Sequence, residues 1–267
     1  MTVREWIRDR EINGLPTFAF EDVRNRFPDF SEQVVKNELF RLSAQKIIVP
    51  VYRGFYVVIP PQYAAKGTVP PLYYIDQLMR CLNKPYYISL LSAAELLGAA
   101  HQRPQKFSVT TIFPKASVSV AKNNLLSWSY RKEIPAGFLL TKNSETGIIR
   151  YSNAELTALD LVQYEQYVGG LSRVATVLEE LSEQTEFTNA AQSLFNYTTL
   201  ATIQRLGYIL EEVLQQQEVA DILYKELTTY SKRFRYVPLS TRHTGNSAGK
   251  NSRWKINVNL NIEIDEI

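Results

Sequence analysis

Apolar side chains recur every three or four positions over the first 44 residues, which is the spacing of a buried helix face. The pattern predicts helices over residues 2–11, 21–27 and 31–44. Pro28 ends the second helix because proline cannot donate a backbone hydrogen bond. Ser31 is a favourable N-cap for the third helix. That helix is predicted to bury one stripe, formed by Val35, Leu39 and Leu42.

Two β-rich runs follow these helices, and a short glycine-containing turn separates them. The runs cover residues 47–51 and 55–59, and the turn is Tyr52-Arg53-Gly54. This spacing is typical of a β-hairpin. Three helices followed by a hairpin is the element order of a winged helix-turn-helix. Residues 1–62 are therefore predicted to be a winged helix-turn-helix DNA-binding domain.

The third helix is predicted to enter the major groove, because it is the second helix of the helix-turn-helix pair. Amides on such a helix suit adenine, and cations suit guanine or phosphate. The predicted DNA-binding residues are the polar ones opposite the buried stripe and one at the hairpin tip: Gln33, Lys36, Asn37, Arg41 and Arg53. Two other interpretations stay open, namely an ordinary solvent-facing surface and a protein-binding module.

The rest of the chain mixes predicted helices and strands, so the overall prediction is an α+β fold. A linker and connecting helix are predicted over residues 63–80, and a mixed α+β C-terminal domain over 81–267. The run 86–98 is predicted to contain a helix with Ser89 or Ser92 near its N-cap and Gly98 at its end, and the region from about 170 to 230 several more. Polar and apolar residues alternate over 254–262, which predicts a nine-residue strand.

Composition excludes several kinds of site. The chain has 267 residues, 45% of them hydrophobic, so a sizeable core is expected. A single cysteine, Cys81, excludes an internal disulfide and is predicted to be a small buried residue. With only two histidines, we predict no metal and no cofactor. No apolar run is long enough to cross a membrane, so a cytoplasmic protein without a membrane partner is expected.

Charge is distributed unevenly along the chain. Residues 1–62 are nearly neutral, at +1, whereas residues 227–262 hold seven basic groups and no acid. The second segment is predicted to be an anion- or nucleic-acid-binding patch, for the same DNA or for an RNA. A merely solvated surface is the alternative. With one nearby histidine, the predicted patch consists of Lys232, Arg233, Arg235, Arg242, His243, Lys250, Arg253 and Lys255.

Motifs for phosphate-binding and metal-dependent catalysis are missing from the sequence. No Gly-x-Gly-x-x-Gly occurs, and no carboxylate stands two residues before a lysine as in restriction-type nucleases. The Gly-Ser and paired acids of a nucleotidyltransferase are absent too. We therefore predict that the protein is not an enzyme. A nucleic-acid-modifying enzyme is the alternative, which a pocket with converging carboxylates would revive.

Three stretches resemble the AbiEi-type antitoxins of type IV toxin–antitoxin systems, which are also known as abortive-infection regulators. The first is the predicted winged helix ending in Tyr52-Arg53-Gly54-Phe55-Tyr56. The second is YYISLLSAAELLG at 86–98, followed by KFSVTT at 106–111. The third is the Pro238-Leu239 loop leading to RWKINVN at 253–259.

The resemblance implies an antitoxin that is also a transcriptional autorepressor. Its N-terminal domain is expected to bind the double-stranded DNA of its own promoter. Its C-terminal domain is expected to counteract a nucleotidyltransferase-like toxin encoded beside it, without a stable complex. The alternative is a winged-helix transcriptional regulator with a ligand- or partner-sensing C-terminal domain and no toxin, which the neighbouring gene would distinguish.

Overall fold

The structure, a computed structural model, describes residues 1–99, 104–115, 125–188, 191–243 and 249–264. The described chain divides into two compact units. The first comprises residues 1–86 with the described parts of 112–126 and 141–149, and the second comprises the other described residues. The domain bounds expected from the sequence, 1–62, 63–80 and 81–267, stay predictions.

The first 58 residues contain three helices and a small antiparallel sheet. Strand β3 lies in the middle of this sheet, with β1 on one side and β2 on the other. The three predicted helices and the predicted hairpin are all present. In chain order the elements are α1 (Val3–Ile12), β1 (Thr17–Ala19), α2 (Phe20–Arg26), α3 (Glu32–Ala44), β2 (Ile48–Tyr52) and β3 (Phe55–Val58).

This region has its own hydrophobic core. Trp6 of α1 stands edge-on to Phe18 of β1, with ring centroids 5.5 Å apart, and to Phe27, at 6.3 Å. The predicted stripe of α3 completes the core, because Val35, Leu39 and Leu42 are each at most 1% exposed. Burying one face of α3 leaves its opposite face to solvent.

The rest of the first unit contains helix α4 (Ile75–Cys81) and two short 3-10 turns, Pro61–Tyr63 and Pro71–Tyr73. Helix α4 buries Ile75, Leu78 and Met79. Cys81 is exposed, so its prediction as a buried residue was wrong. It is the last residue of α4, where the helix ends and its buried face ends with it.

A five-stranded sheet has the order β6-β5-β4-β8-β7, and β4 runs parallel to β8. The helix predicted within residues 86–98 is present, with Ser89 as its N-cap and Gly98 as its C-cap. Residues 86–88 before it form a strand because all three are buried and Ile88 pairs with Tyr151 of the sheet, which a sequence pattern alone does not reveal. The elements are β4 (Tyr86–Ile88), α5 (Leu90–Leu97), β5 (Phe107–Ile112), β6 (Leu126–Arg131), β7 (Leu139–Ser144) and β8 (Gly147–Ser152).

Helices form the core of the second unit. Helix α6 packs against α5, α7 and α9, and almost all of its residues are buried. Asn153 caps α6 by accepting a hydrogen bond from the Leu156 amide at 3.0 Å. The helices are α6 (Ala154–Gln163), α7 (Leu171–Leu181), α8 (Ala191–Phe195), α9 (Leu200–Tyr208) and α10 (Gln217–Tyr230), with a π-helical turn at Ile209–Val213.

The C-terminal segment forms a small sheet of three short strands, β9 (Val237–Pro238), β10 (Gly249–Asn251) and β11 (Ile256–Val258). Strand β11 is central, antiparallel to β10 and parallel to β9. The nine-residue strand predicted over 254–262 was wrong in length. Lys255 has a positive φ of 53°, which interrupts extended backbone, and the partner strands offer only two or three residues for pairing.

Trp254 anchors this segment in the core of the second unit, and its side chain is completely buried. The indole lies directly over Gly207 of α9, so that a Cβ at residue 207 would overlap the ring. Tyr224 of α10 packs edge-on at 5.2 Å between ring centroids. The close approach of α9 to Trp254 therefore requires glycine at position 207.

No helix among the described residues is long and apolar enough to cross a membrane.

We expect Gly207→Ala to lower the free energy of unfolding by about 1–3 kcal/mol, since the new methyl group forces Trp254 out of its packed position. Urea unfolding followed by tryptophan fluorescence measures this change. Gly137→Ala is the matched control, because a Cβ at Gly137 meets no atom within 4 Å. Equal stability of the two variants would contradict the account of the Trp254 contact.

Candidate nucleic-acid interface

The exposed face of α3 carries the four helix residues predicted to bind DNA. Ser31 starts the helix by accepting a hydrogen bond from the Val34 amide at 3.3 Å. The buried stripe then fixes which side faces outward. Gln33, Lys36, Asn37 and Arg41 are all exposed on that side, and we call them the α3 ridge.

Each residue of the α3 ridge has a polar partner within the helix. The Gln33 side-chain amide donates to Asn37 Oδ1 at 2.9 Å. Lys36 pairs with Glu32 at 2.5 Å, and Arg41 pairs with Glu38 at 2.7 Å. Exposed pairs of this kind contribute about 0–1 kcal/mol. The two cations can therefore exchange these carboxylates for phosphates at little cost.

Arg53 lies in the turn between β2 and β3, as predicted, and is exposed. Gly54 follows it with a φ of 69°, a left-handed conformation that glycine adopts without strain. The Gly54 carbonyl accepts a hydrogen bond from the Phe20 amide at 2.7 Å, which ties the turn to the start of α2. The turn thus presents a cation from a fixed backbone position.

Sequence reasoning missed one residue of this surface, Phe40. Its side chain is 78% exposed, the highest value among the large exposed hydrophobic residues of the described chain. It follows Asn37 by three positions and Gln33 by seven, which places all three on one stripe of the helix. Helical spacing from Gln33 would have found it, but apolar residues were assigned only to the buried stripe.

Six of the eight residues predicted for the C-terminal patch are exposed: Lys232, Arg233, Arg235, Arg242, His243 and Lys250. Arg242 donates to the side chain of Gln166 at 3.2 Å, and the His243 carbonyl accepts from Asn259 at 2.6 Å. Both contacts fix part of the segment while leaving the side chains of Arg242 and His243 exposed.

Two lysines lie near the aromatic ring of Tyr236, a residue that is 42% exposed. The ammonium groups of Lys250 and Lys255 lie 5.7 Å and 5.2 Å from the centre of its ring. Both distances allow a cation–π contact. Lys255 is half-buried by this arrangement, whereas Lys250 remains exposed.

Arg253 differs from the other predicted patch residues because carboxylates surround it. Its guanidinium nitrogens lie 2.7 Å from a Glu211 oxygen and 2.5 Å from an Asp221 oxygen. The group also stacks on Tyr224, 4.5 Å from the ring centre. Its hydrogen bond lowers the pKa of Asp221. Arg253 therefore balances acids of the protein itself and holds the segment in place.

One family model matches a part of the chain that contains most of the five-stranded sheet and several helices of the second unit. Residues 87–212 match the family model described as the AbiEi antitoxin C-terminal domain. This stretch is an AbiEi antitoxin domain. The resemblance drawn from the sequence is thereby confirmed for these residues.

The fold has a counterpart among solved structures. The crystal structure of the RV2827C protein from Mycobacterium tuberculosis superposes with a TM-score of 0.64, covering 94% of this chain and 90% of that chain. The two are 16% identical in sequence, so the likeness shows the fold alone. No curated protein matches the chain.

The AbiEi domain encloses a buried polar cluster of Tyr87, Arg131 and Asp160, each at most 6% exposed. Tyr87 donates to Asp160 at 2.6 Å, and Arg131 donates to the Tyr87 oxygen at 2.8 Å. Burial raises the pKa of the Asp160 carboxyl, and the adjacent guanidinium opposes that rise. Burial also raises the pKa of Tyr87 well above its usual value, so the phenol remains a hydrogen-bond donor. Closed to solvent, the cluster is placed to support the fold rather than to meet a substrate.

A pocket with converging carboxylates would support the alternative of a nucleic-acid-modifying enzyme, and the cavity beside the C-terminal segment is not such a pocket. That cavity has a volume of about 480 Å³, and Glu212 is the one acid among the described residues lining it. Within the described ranges, no three His, Cys, Asp or Glu side chains group closely enough to hold a metal ion.

We expect Arg253→Ala to destabilise the protein by about 1–2 kcal/mol, because it removes two partly exposed ion pairs and a cation–π contact. Lys232→Ala, which removes the same charge from an exposed position of the same segment, is the control and should leave the melting temperature unchanged. Thermal unfolding of both variants measures the difference. An unchanged melting temperature in Arg253→Ala would show that the cluster around Arg253 does not stabilise the fold.

Proposed function

We propose that the protein is an antitoxin that represses its own promoter and counteracts a nucleotidyltransferase-like toxin without forming a stable complex with it. The observation that carries the proposal is the AbiEi antitoxin domain at residues 87–212. In this proposal the protein acts in the cytoplasm as a binding protein and not as an enzyme.

DNA binding is assigned to a winged helix-turn-helix formed by residues 1–62. Its support is the order α1-β1-α2-α3-β2-β3, with an antiparallel β2–β3 hairpin after the third helix. Helix α3 buries one stripe and exposes the α3 ridge, as a helix that reads the major groove must. Arg53 in the hairpin turn supplies a cation for a phosphate or the minor groove.

The basic C-terminal segment is assigned a supporting role in binding the same DNA. Residues 1–62 carry a net charge of only +1, which gives weak electrostatic attraction to a polyanion. Exposed cations between residues 232 and 250 supply additional positive charge that attracts DNA phosphates. An RNA on which the toxin acts is the other target that this chemistry fits.

We expect the protein to restore growth to cells that express the neighbouring toxin gene and to silence a reporter driven by its own promoter. A variant with Gln33, Lys36, Asn37 and Arg41 changed to alanine should still restore growth but lose repression, because only the DNA contacts are removed. Growth and reporter activity are measured in the same strains.

The same experiment can contradict each part of the proposal separately. Repression without a toxic neighbour would identify a transcriptional regulator outside any toxin–antitoxin pair. Full repression by the α3 variant would contradict the assignment of the α3 ridge. Circular dichroism of the variant controls for folding, since all four side chains are exposed.

We expect alanine at Lys232, Arg233, Arg235 and Arg242 to weaken binding to a promoter fragment and to flatten its dependence on salt. Each lost phosphate contact lowers the slope of log K against log salt by about 0.9, so the slope should fall by up to about 4. Fluorescence anisotropy at several salt concentrations gives both quantities.

The matched control removes four charges from other exposed positions, with alanine at Lys66, Lys106, Lys132 and Lys142. Its affinity and slope should stay closer to those of the wild type. If the two quadruple variants behave alike, the segment contributes only to net charge. If neither differs from the wild type, the segment does not bind this DNA.

A further inference from the structure

The most exposed large apolar side chain on α3 stands in the middle of its polar face. Phe40 is 78% exposed and shares one stripe with Gln33 and Asn37. Lys36 and Arg41, both exposed, flank this stripe on either side. An aromatic ring in water is unfavourable, so its position between amides and cations calls for a partner that suits all of these groups.

The immediate surroundings of Phe40 argue against a protein-binding patch. On a helix, the residues that adjoin a side chain stand three and four positions away. For Phe40 these are Lys36, Asn37, Ser43 and Ala44, of which none is a large apolar residue. Protein interfaces are instead depleted of charge at their centre and enriched in clustered aromatics. No large apolar side chain of α3 adjoins Phe40, and the other exposed one, Val34 at 48%, stands six positions away.

The major groove of DNA offers a partner with this combination of groups. Phosphates line its edges, adenine presents an acceptor and a donor, and thymine presents a C5-methyl group that apolar side chains contact. The hydrogen bond from Gln33 to Asn37 leaves the Gln33 oxygen as an acceptor and the Asn37 amide as a donor. That pair matches the N6 donor and N7 acceptor of adenine.

We propose that Phe40 reads thymine by packing its ring on the C5-methyl group, beside an adenine read by Gln33 and Asn37. The inference rests on the proposed DNA-binding function and adds the sequence element recognised. Residues 37 and 40 are about 4.5 Å apart along the helix axis, between one and two times the rise of a base pair, which is about 3.4 Å. The thymine therefore belongs to the same A·T pair or to the next one.

The test compares two versions of the promoter fragment, one amplified with thymidine triphosphate and one with deoxyuridine triphosphate. Uracil differs from thymine only by lacking the methyl group. The wild type should bind the uracil fragment about fourfold more weakly for each methyl group contacted. Phe40→Ala should bind both fragments equally, with the affinity that the wild type has for uracil DNA.

Two further variants keep the experiment decisive. Ile12→Ala removes another apolar side chain, 74% exposed on α1, and should keep the wild-type ratio between the two fragments. Phe40→Leu keeps an apolar group at the site and should retain part of the discrimination. Circular dichroism confirms that each variant is folded.

The contradicting results separate this inference from the function on which it rests. If the wild type binds both fragments equally, or Phe40→Ala keeps the wild-type ratio, Phe40 does not read thymine, although promoter binding stands. If the wild type binds neither fragment, both proposals fail. If Phe40→Ala instead turns a dimer into a monomer in sedimentation and leaves the ratio unchanged, Phe40 belongs to an interface between two copies of the chain.

Discussion

The buried ion pair between Arg131 and Asp160, whose nitrogen and oxygen atoms lie 3.3 Å apart, is the interaction on which the helical core of the AbiEi domain depends. Removing two charges from water costs several kcal/mol each, and here that cost is offset by the attraction between the two groups and by their hydrogen bonds to neighbouring groups. Tyr87 supplies a donor and an acceptor between them, and the Tyr197 carbonyl accepts from Arg131. The pair thereby fixes β4 and β6 against α6. Loss of one partner would leave a buried charge uncompensated, at a cost of about 3–5 kcal/mol.

Helix α9 connects this core to the C-terminal segment. Helix α6 packs on α9, and the buried Gln204 of α9 donates to the carbonyls of Arg235 and Trp254 at 2.9 Å and 2.8 Å. Glu211 then accepts hydrogen bonds from Trp254 and Arg253. These contacts hold the backbone on both sides of the basic side chains. A cationic surface on a fixed backbone loses less conformational entropy on binding an anion than a disordered basic tail does.

Local signals in the sequence identified most helices, because capping and apolar spacing act within a few residues. Ser31 caps α3 as predicted, and the stripe of α3 is buried as its spacing predicts. The errors occurred where a distant partner decides the outcome. Residues 86–88 become a strand because β8 lies beside them, and residues 254–262 pair over only three positions because β9 and β10 are short. The carboxylates around Arg253 come from positions 32 and 42 residues away, so charge counting along the chain could not anticipate them.

In the proposed function, the nearly neutral charge of the N-terminal region makes its contacts with base edges in the groove important for binding. Non-specific attraction to DNA grows with the number of cations that reach phosphates, and it is the same for every sequence. A region with a net charge of +1 gains little from that attraction, because its acidic groups repel phosphates while its basic groups attract them. Contacts to base edges then make up a larger share of its binding energy, and discrimination between operator and other DNA rises accordingly. A basic segment elsewhere in the chain can add affinity for DNA. It does so without reducing the ratio of operator affinity to non-operator affinity only if it binds phosphates near a site that α3 has already selected.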